Sequence, residues 1–349
     1  MKQALRQATA AEVENWDKLL SHNPYGAEPY QTESFAAVKA LQGWKSEYWV
    51  YDTKSGPVYA LTLIRKLAGV GRIVYIPRGP SVVDPKQWSE ICSINQKELT
   101  DVAVVKMEPP ILTEKLKVIR SDLRKVSDIQ GSVVNTVVID LDRSKEELWD
   151  GFRQRARRSI RGGQRGQLKI SEGAFSPKNV DFMWELYHET ATRAGLKTRS
   201  KIYYETFWRE YIERDQGKFF FAWMPDDKRP IAGLFVCYVG DAALYKDGGS
   251  RRDAKAHFSH LLQWETMLYL QRKGVRRYDL GGTPPNARLN DPSHRLASLT
   301  TFKLSFGAPV IEHIGTYDQV LRPQAYKQWL AIERLWRITA RQTKYRDLY

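Results

Sequence analysis

The stretch YYETFWREYIERDQGKFFFAW, residues 203–223, decides the fold because an earlier stretch repeats its pattern. Residues 30–52 read YQTESFAAVKALQGWKSEYWVYD, and placing Tyr30 on Tyr203 aligns the two. In each stretch a helical spacing of apolar residues gives way to an aromatic-rich run. Each stretch therefore predicts a short helix followed by a strand.

The similarity continues outward from both stretches. Each is followed by a turn and a proline-led strand, GPVYALTLIRK or RPIAGLFVCYV, and then by another strand, RIVYIPRGP or DAALYKDGGS. A helical stretch and a closing strand come next, PKQWSEICSINQ with DVAVVKMEPP, or HFSHLLQWETMLYLQRKG with VRRYDLGG. The expected fold is α/β (α+β), with two similar domains that each contain a mixed twisted sheet flanked by helices.

The boundary between the two domains is predicted near residue 143. VVNTVVIDLD ends there as an alternating strand, and RSKEELWDGFRQRARRSIRGG follows as one helix. Ser144 and Glu147 fit a capping box at its start, and Gly162-Gly163 supply its stop.

The end of the chain reads as an amphipathic helix after Pro323, with Trp329 and Trp336 among its packing residues. We therefore expect a first domain over residues 1–143, a second over residues 144–320, and a C-terminal helix over residues 321–349 that docks on the domains.

Positive charge is concentrated in FRQRARRSIRGGQRGQLKI, residues 152–170. The whole chain carries 55 Lys plus Arg against 40 Asp plus Glu, a net charge of +15 that favours a polyanionic partner. On the predicted helix Arg153, Arg157, Arg161 and Arg165 recur every four residues and would line one face. This face is a candidate surface for the phosphates of a nucleic acid, and a solvated basic face is the alternative.

Composition excludes several classes of protein. The 349 residues are 42% hydrophobic and 12% aromatic, which excludes a mainly disordered chain. Cys92 and Cys237 read as reduced, buried thiols of a cytosolic protein. We find neither the apolar core of a secretory signal nor a run of about 18 apolar residues. Contact with a membrane surface stays open.

Familiar catalytic motifs are missing from the sequence. There is no Walker loop, no G-x-G-x-x-G after a strand and no G-x-S-x-G elbow. His257 and His260 lack a third metal ligand and are interpreted as surface or packing residues. DGGSRRDAKAHFSH stands where an acyl-CoA acetyltransferase would have its pyrophosphate loop, so CoA is a poor candidate donor. We predict no metal and no cofactor.

Five segments in a fixed order carry a resemblance to a known family: NPYGAEPYQTESFAAVKALQGW, YIPRGPSVVD, RQRARRSIRGG, LLQWETMLYLQRKGVRRYDLGGTPP and TFKLSFGAPV. This set resembles the Fem family of aminoacyl-tRNA-dependent, non-ribosomal peptidyl transferases. The resemblance implies two tandem domains of the acyl-CoA N-acyltransferase (GNAT) type, in agreement with the repeat. The chain has no sustained heptads, so it resembles the compact members that lack a coiled-coil arm.

The resemblance also implies an enzyme, an aminoacyltransferase of peptidoglycan biosynthesis and hence of cell wall biogenesis and cell shape. It would move an amino acid from an aminoacyl-tRNA to an amine on the stem peptide of UDP-MurNAc-pentapeptide or lipid II, and so start an interpeptide bridge. Both substrates are polyanions, in agreement with the net charge. We expect a cytoplasmic monomer, and contact with the inner membrane face stays open.

Residues in the matching segments take the roles that the resemblance implies. Lys39 and Arg199, one from each half, would bind the diphosphate of the precursor, and Tyr203 follows Arg199 at the family's spacing. Tyr245 and Glu108 would line the acceptor site, where compact members have an aspartate in place of Glu108.

Phe302 and Lys303 match the family's Phe-Lys pair beside the aminoacyl ester. TFKLSF alternates, so it is predicted to be a strand with Lys303 on its polar face. A lysine there would stabilise the tetrahedral oxyanion or the leaving ribose oxygen. The general base is unassigned, and the arginine face is one candidate for the tRNA contact.

Three other functions stay open on the sequence. An acyl-CoA N-acyltransferase would use the same fold, although the missing pyrophosphate loop argues against it. A peptide-tailoring enzyme would use aminoacyl-tRNA by the same chemistry on a different acceptor. A non-catalytic RNA-binding protein would use only the basic surface.

Overall fold

The computed structural model describes residues 3–126, 134–196, 198–254, 257–294 and 296–342, those after residue 336 as backbone only. The chain divides into two compact units. The first unit combines Met1–Val134 with Glu312–Tyr349, and the second unit is Asn135–Ile311. Within the described part of the chain, none of the helices is long and apolar enough to cross a membrane.

Up to residue 126 the elements of the first unit alternate between short helices and the strands of one sheet. In chain order they are β1 (Leu5–Gln7), α1 (Ala10–Glu14), α2 (Trp16–Leu20), α3 (Glu33–Ala40), β2 (Lys45–Thr53), β3 (Gly56–Leu67), β4 (Gly71–Ile76), α4 (Pro85–Glu98), β5 (Val102–Met107) and β6 (Leu123–Val126).

The second unit follows the same scheme, and two elements then return to the first unit. Its elements are β7 (Asn135–Asp140), α5 (Lys145–Gly151), α6 (Gln154–Arg165), β8 (Lys169–Gly173), α7 (Pro177–Arg193), α8 (Lys201–Glu213), β9 (Gly217–Trp223), β10 (Ala232–Val239), β11 (Ala242–Ser250), α9 (Phe258–Arg272), β12 (Arg277–Gly282), α10 (Ala297–Leu304) and β13 (Val310–Glu312). The returning elements are β14 (Thr316–Val320) and α11 (Pro323–Gln342).

The repeat predicted from the sequence is confirmed element by element. In the first unit α3 precedes the antiparallel strands β2, β3 and β4, and α4 then leads to β5, which runs parallel to β4. In the second unit α8, β9, β10, β11, α9 and β12 repeat this order, with β12 parallel to β11. Each unit therefore contains a mixed sheet flanked by helices.

The division between the units differs from the predicted boundary at residue 143. The strand expected to close the first domain, β7, pairs antiparallel with β12 and belongs to the second sheet. Conversely, β14 lies between β5 and β6 in the first sheet, although it falls within the predicted second domain, residues 144–320. An alternating pattern specifies a half-buried strand but carries no information about its partner, so the sequence alone could not assign either strand.

The C-terminal helix packs on the first unit, in agreement with the expectation that it docks. Trp329 of α11 is fully buried and Ala325 is nearly so. Residues 343–349 of the predicted helical segment lie outside the described residues.

The arginine-rich segment forms two helices, so the prediction of one helix that stops at the glycines is wrong. The capping box of Ser144 and Glu147 is confirmed at the start of α5. Phe152 ends this helix in an extended conformation and is buried in the core of the second unit. The second helix, α6, continues through Gly162 and Gly163, where a Cβ atom would lie 3.0 Å from His257 or Leu261. The two glycines therefore let α6 approach α9 closely instead of ending the helix.

The predicted strand TFKLSF is also wrong, because these residues form the end of α10 and the turn after it. The hydroxyls of Thr300 and Thr301 donate to the carbonyls of Leu296 and Ala297, one helical turn earlier. Gly307 has a φ of 82°, a value that favours glycine, just after the helix. Six alternating residues are too short a pattern to distinguish a strand from a helix end.

Both units have a core of buried apolar side chains on the faces of their sheets. Trp88 and Tyr51 are buried in the first unit, and Phe220 and Trp264 in the second. Cys92 and Cys237 are free and buried, which confirms that neither forms a disulfide.

Candidate functional site

The second sheet opens between β11 and β12, and the opening is flanked by several of the predicted residues. The two strands pair only where Ala242–Leu244 lies beside Arg277–Asp279. From there β11 continues along β10 only, while β12 continues along β7, with an irregularity in the register before Gly282, which lies opposite Thr136. We call this opening the strand split. Backbone groups that the ladder does not use need other partners there.

A β-bulge changes the side chains that β11 presents beyond the split. Phe235 of β10 lies opposite Asp247, and the next residue, Val236, lies opposite Tyr245. Lys246 is therefore the extra residue on β11. Bulges of this kind re-aim side chains and are frequent beside functional sites.

Lys303 reaches the strand split from α10. Its Nζ donates to the carbonyl oxygen of Gly282 at 2.7 Å, and only 3% of the residue is exposed. Burial lowers the pKa of the ammonium to about 8, and the nearby Asp279 carboxylate opposes part of this shift. The site therefore holds a desolvated cation that is mostly protonated at neutral pH and has an unusually weak hold on its proton.

Asp279 holds the turn that contains Gly282, whose carbonyl oxygen accepts the hydrogen bond from Lys303. One carboxylate oxygen of Asp279 accepts hydrogen bonds from the Thr136 hydroxyl and from the Gly281 N–H. Gly281 has a φ of 78°, and a Cβ atom there would lie 3.7 Å from the Lys303 Nζ and 3.9 Å from the Tyr245 carbonyl oxygen. The split thus brings Lys303 and Tyr245 together around Gly281.

The side chain of Tyr245 turns back onto its own strand. A Cβ atom on Gly248 would overlap the Tyr245 hydroxyl oxygen, so any larger residue at position 248 would have to displace the ring. Burial, assisted by the Asp247 carboxylate, raises the pKa of the Tyr245 phenol. The phenol is therefore a neutral hydrogen-bonding group at physiological pH.

Phe302 lies beside the lysine and packs on two buried neighbours. Its ring is edge-on to His260 at 4.7 Å and to Phe306 at 5.4 Å between centroids. The His260 ring lies 3.0 Å from the Ser305 hydroxyl, and burial lowers the pKa of this histidine to about 4. His260 is therefore a neutral packing residue, and His257 packs over α6. Among the residues that the structure describes, no group of three or more His, Cys, Asp or Glu is placed to hold a metal ion.

Arg199 and Tyr203 lie together at the start of α8. The guanidinium carbon of Arg199 stands 4.2 Å above the Tyr203 ring, a cation–π contact. Tyr204 and Phe207, the next aromatic residues of the helix, lie at 5.5 and 6.3 Å from Tyr203 between ring centroids. The first turns of α8 thus form an aromatic surface.

A second cation on this surface was missed by the sequence analysis. The Nζ of Lys246 lies 4.9 Å above Phe207 and 5.7 Å above Tyr204. The buried carboxylate of Asp247 holds this ammonium at 3.0 Å and accepts another hydrogen bond from the Trp208 indole at 3.0 Å. The one available signal in the sequence was that Lys246 and Asp247 follow Tyr245 directly.

Lys39 lies in the first unit, where it is 3% exposed. Its Nζ donates to the Gln42 side chain at 2.9 Å and stands 5.2 Å above the Phe35 ring. That ring stacks on Tyr30 at 4.4 Å, and the Arg78 guanidinium lies 5.2 Å from the Tyr30 ring. Lys39 and Arg78 are therefore two cations on one aromatic pair, and the sequence analysis missed Arg78 although it quoted YIPRGP.

Glu108 is buried in the first unit, and both oxygens of its carboxylate accept hydrogen bonds. It accepts hydrogen bonds from the Arg78 backbone N–H at 2.9 Å, from the Tyr75 hydroxyl at 3.1 Å and from the Thr316 hydroxyl at 3.2 Å. Burial raises the pKa of this carboxyl. Arg78 has a φ of 47°, so the hydrogen bond that its N–H donates to Glu108 holds a backbone conformation that few residues favour.

The arginine face is shorter than predicted. Arg153 precedes α6, and its backbone N–H donates to the Ser305 carbonyl, so it is not on the helix. Arg157, Arg161 and Arg165 lie on α6. Arg157 lies 3.9 Å from an exposed aspartate, and the Arg161 guanidinium lies 5.2 Å from a tryptophan ring. These three residues share one helix face in the second unit.

Comparison with known proteins agrees with the architecture and with the predicted family. The sequence model of an acetyltransferase (GNAT) domain matches residues 150–288, within the second unit. The structure is similar to the crystal structure of FemX, with a TM-score of 0.75 and 17% identity over 94% of this chain and 99% of that one. Two lipid II:glycine glycyltransferases match in sequence, with 30% identity over 98 residues in Staphylococcus haemolyticus and 32% over 97 residues in Staphylococcus epidermidis.

The chain is thus similar to these glycyltransferases over part of its sequence and to FemX in its fold. The match to FemX also confirms the fold, two tandem GNAT-like domains. In sequence the matched stretch covers 28% of this chain and 23% of the staphylococcal glycyltransferases. The pyrophosphate-loop position of a GNAT domain corresponds here to a segment of which Lys255 and Ala256 lie outside the described residues.

Proposed function

We propose that this chain is an aminoacyltransferase that moves an amino acid from an aminoacyl-tRNA to an amine on the stem peptide of a peptidoglycan precursor. The observation that carries the proposal is the buried ammonium of Lys303 at the strand split. Burial of a charge is unfavourable, so a desolvated cation beside an opening in a sheet indicates a functional site. The names of the staphylococcal relatives, lipid II:glycine glycyltransferases, support the same reaction class.

The reaction needs little from the protein beyond alignment and charge stabilisation, since an aminoacyl ester is already activated. The acceptor amine attacks the ester carbonyl, the new amide C–N bond forms, and the ester C–O bond breaks. A proton leaves the amine, and the ribose oxygen takes one up as it departs. The Lys303 ammonium donates to the oxyanion or to the departing ribose oxygen, while the Gly282 carbonyl keeps the ammonium in place.

Phe302 and Tyr245 take supporting roles in this proposal. Phe302 stands next to Lys303 and offers an apolar edge to the ester, which helps to exclude water. Tyr245 contributes a backbone carbonyl beside Gly281 and fixes the shape of β11 through its ring. No general base is assigned among the protein side chains.

We propose that the phosphate groups of the acceptor bind to cations, and each unit offers candidates. In the first unit Lys39 and Arg78, which share the Phe35–Tyr30 aromatic pair, are the candidates. In the second unit Arg199 on Tyr203 is the candidate. Arginine and lysine on aromatic surfaces keep their donors oriented for an incoming phosphate.

Glu108 receives a different role from the one that the resemblance implied. Its buried carboxylate already accepts hydrogen bonds from three groups of its own unit, so we propose that it holds the Arg78 backbone and does not itself contact the acceptor.

The tRNA is assigned to the basic face of α6. Arg157, Arg161 and Arg165 supply phosphate contacts without reading sequence, and Arg153 adds a charge before the helix. We expect the protein to act as a monomer in the cytoplasm. Contact with the inner membrane face would be needed only for a lipid-linked acceptor.

A transfer assay tests the proposal. Purified protein is incubated with a set of aminoacyl-tRNAs and with UDP-MurNAc-pentapeptide or lipid II, and the mass of the acceptor is measured. We expect a gain of one aminoacyl residue that is abolished by RNase treatment of the donor. No gain with any donor and either acceptor would contradict the proposal.

The match to an acetyltransferase domain is a specific observation in favour of a second candidate, transfer of an acyl group from acyl-CoA. Calorimetric titration with CoA separates the two functions. We expect no saturable binding of CoA, whereas micromolar binding together with CoA-dependent acylation would favour the second candidate.

A further inference from the structure

The second unit contains a cavity that none of the roles above uses. It measures about 800 Å³, within the range of small-molecule sites, and lies where α7, the turn between β9 and β10, and the segment after β11 meet. Its lining includes Trp184, His188, Arg193, Arg229, Arg251 and Arg252. We call it the α7 cavity.

One wall of the α7 cavity is aromatic. Trp184 and His188 are one helical turn apart on α7, and their rings stack at 5.0 Å with 24° between their planes. Tyr204 supports Trp184 from behind at 5.7 Å, and its hydroxyl is bonded to that of Tyr187 at 2.8 Å. The wall is thus a stack of two rings backed by Tyr204, and a planar ligand can stack on its exposed His188 ring.

The rim of the cavity is basic. Four arginines line it against two acids, Glu185 and Glu189. Arg251 is held between Asp227 and Asp253, at 3.0 and 2.5 Å. The other arginines are held less tightly.

Arg229 is one of the loosely held arginines. It lies 3.8 Å from Glu185, and both side chains are more than 60% exposed. The Arg252 side chain is exposed as well. Surface ion pairs of this kind contribute little, so an incoming phosphate can compete for these two guanidinium groups.

The cavity and the strand split are connected by one strand. β11 leaves its pairing with β12 at Leu244 and ends at Ser250, directly before Arg251 and Arg252. At about 3.3 Å per residue the strand separates the two places by about 20 Å. A few nucleotides of single-stranded RNA can span such a distance.

We propose that the α7 cavity binds one unpaired nucleotide of single-stranded RNA, with the base against Trp184 and His188 and the phosphate against Arg229 and Arg252. Stacking on aromatic rings beside a basic groove is how proteins bind single strands without reading their sequence. The inference deepens the proposed function, on which it rests for the identity of the RNA. The nucleotide would belong to the unpaired end of the donor, a few positions before the aminoacylated ribose.

Binding is measured first, with the full chain and a short, unstructured, fluorescently labelled oligoribonucleotide. Trp184→Ala should weaken binding roughly 5- to 150-fold, the range seen when a stacked aromatic is removed, while Trp184→Phe should restore most of it. Arg252→Ala should weaken binding and lower the salt dependence by about 0.7 in the slope of log K against log salt concentration. Arg272→Ala, an exposed arginine of α9 outside the lining, serves as the matched control.

Transfer is measured second, with a complete aminoacyl-tRNA and with a minimal aminoacyl-adenosine donor that lacks the preceding nucleotides. Trp184→Ala should raise KM for the complete donor at least fivefold and leave the rate with the minimal donor unchanged. Equal losses with both donors would overturn the proposal, because they would indicate a folding defect or a role at the split. Unchanged binding of the oligoribonucleotide by Trp184→Ala and Arg252→Ala would overturn it as well.

The two measurements also separate this inference from the proposed function. The protein could bind the oligoribonucleotide in a way that depends on Trp184 and yet transfer nothing. This result would support the nucleotide site in the α7 cavity and contradict the proposed transferase activity. Transfer that does not change in Trp184→Ala would contradict the nucleotide site in the α7 cavity but would leave the proposed transferase activity supported.

Discussion

Replacing Lys303 with Met removes the ammonium at the strand split and keeps most of the length and volume of the side chain. Burial lowers the pKa of this lysine from its ordinary value near 10.5 to about 8, so folding disfavours its charged form by about 3 kcal/mol. The hydrogen bond to the Gly282 carbonyl offsets part of this unfavourable free energy, by about 1.5–3 kcal/mol for a charged donor. Lys303→Met should therefore leave the free energy of unfolding unchanged or raise it by about 1 kcal/mol.

Catalysis should respond in the opposite direction. Loss of one preorganised donor to a developing oxyanion lowers kcat by about 10²- to 10³-fold. Lys303→Met should show this fall in single-turnover transfer, with little change in KM for the acceptor, since the ammonium acts on the reacting ester. Lys201→Met, which removes an exposed lysine paired with Asp181 on the same unit, is the matched control and should be silent.

The pH dependence adds an independent check. Because the folded pKa is depressed, the unfolded state binds more protons between about pH 8 and pH 10.5, and stability should rise with pH across this window in the wild type. The same titration removes the cationic stabiliser, so the ratio of wild-type to Lys303→Met rates should fall as pH rises through about 8. A variant that keeps wild-type kcat, or a rate ratio that grows through this pH, would refute the role of the ammonium.

Three further predictions follow from the packing and the charge. Glu108→Gln should destabilise the first unit by about 1–3 kcal/mol in urea unfolding, because the new amide NH2 group would face a hydrogen-bond donor where the carboxylate offers an acceptor. Unchanged stability together with a raised KM for the acceptor would instead indicate that Glu108 contacts the acceptor directly. The double change Arg161→Ala and Arg165→Ala should weaken tRNA binding and lower its salt slope by about 0.7–0.9 per lost phosphate contact, and an unchanged slope would mean that the face is only solvated. Gly249→Ala places a Cβ atom 2.2 Å from a backbone oxygen of α7 and should lower stability by about 1–3 kcal/mol or more, whereas Gly151→Ala, with open space around it, should have little effect in the same thermal melts.

The residues of the candidate site were only partly accessible to sequence reasoning. Lys303, Tyr245 and Arg199 were found because they stand in segments that match a family, not because their local pattern shows a site. Lys246 follows the predicted residue Tyr245 in the chain, and Arg78 lies in a segment that matches the family, but their positions depend on a bulge and on a positive φ. The sequence did not reveal either feature, and the roles of all these residues remain predictions.

The α7 cavity was even less accessible to sequence reasoning than the residues at the strand split. Trp184 and His188 lie one helical turn apart, so their proximity follows from the sequence once α7 is predicted. Their meeting with Arg229 and Arg252 does not, because these come from a turn and a strand end that are distant in the chain.

What the sequence determined by itself is local or repeated. The alternation of strands, the capping box at Ser144, the helix α11 and the duplication of the whole element order follow from short-range periodicity, which the polypeptide backbone imposes within a few residues. Only the tertiary structure decided that β7 joins the second sheet, that β14 enters the first, and that α6 continues through two glycines. Each of these outcomes depends on which distant surface buries the segment, and burial against a partner outweighs the small free energies of local preference.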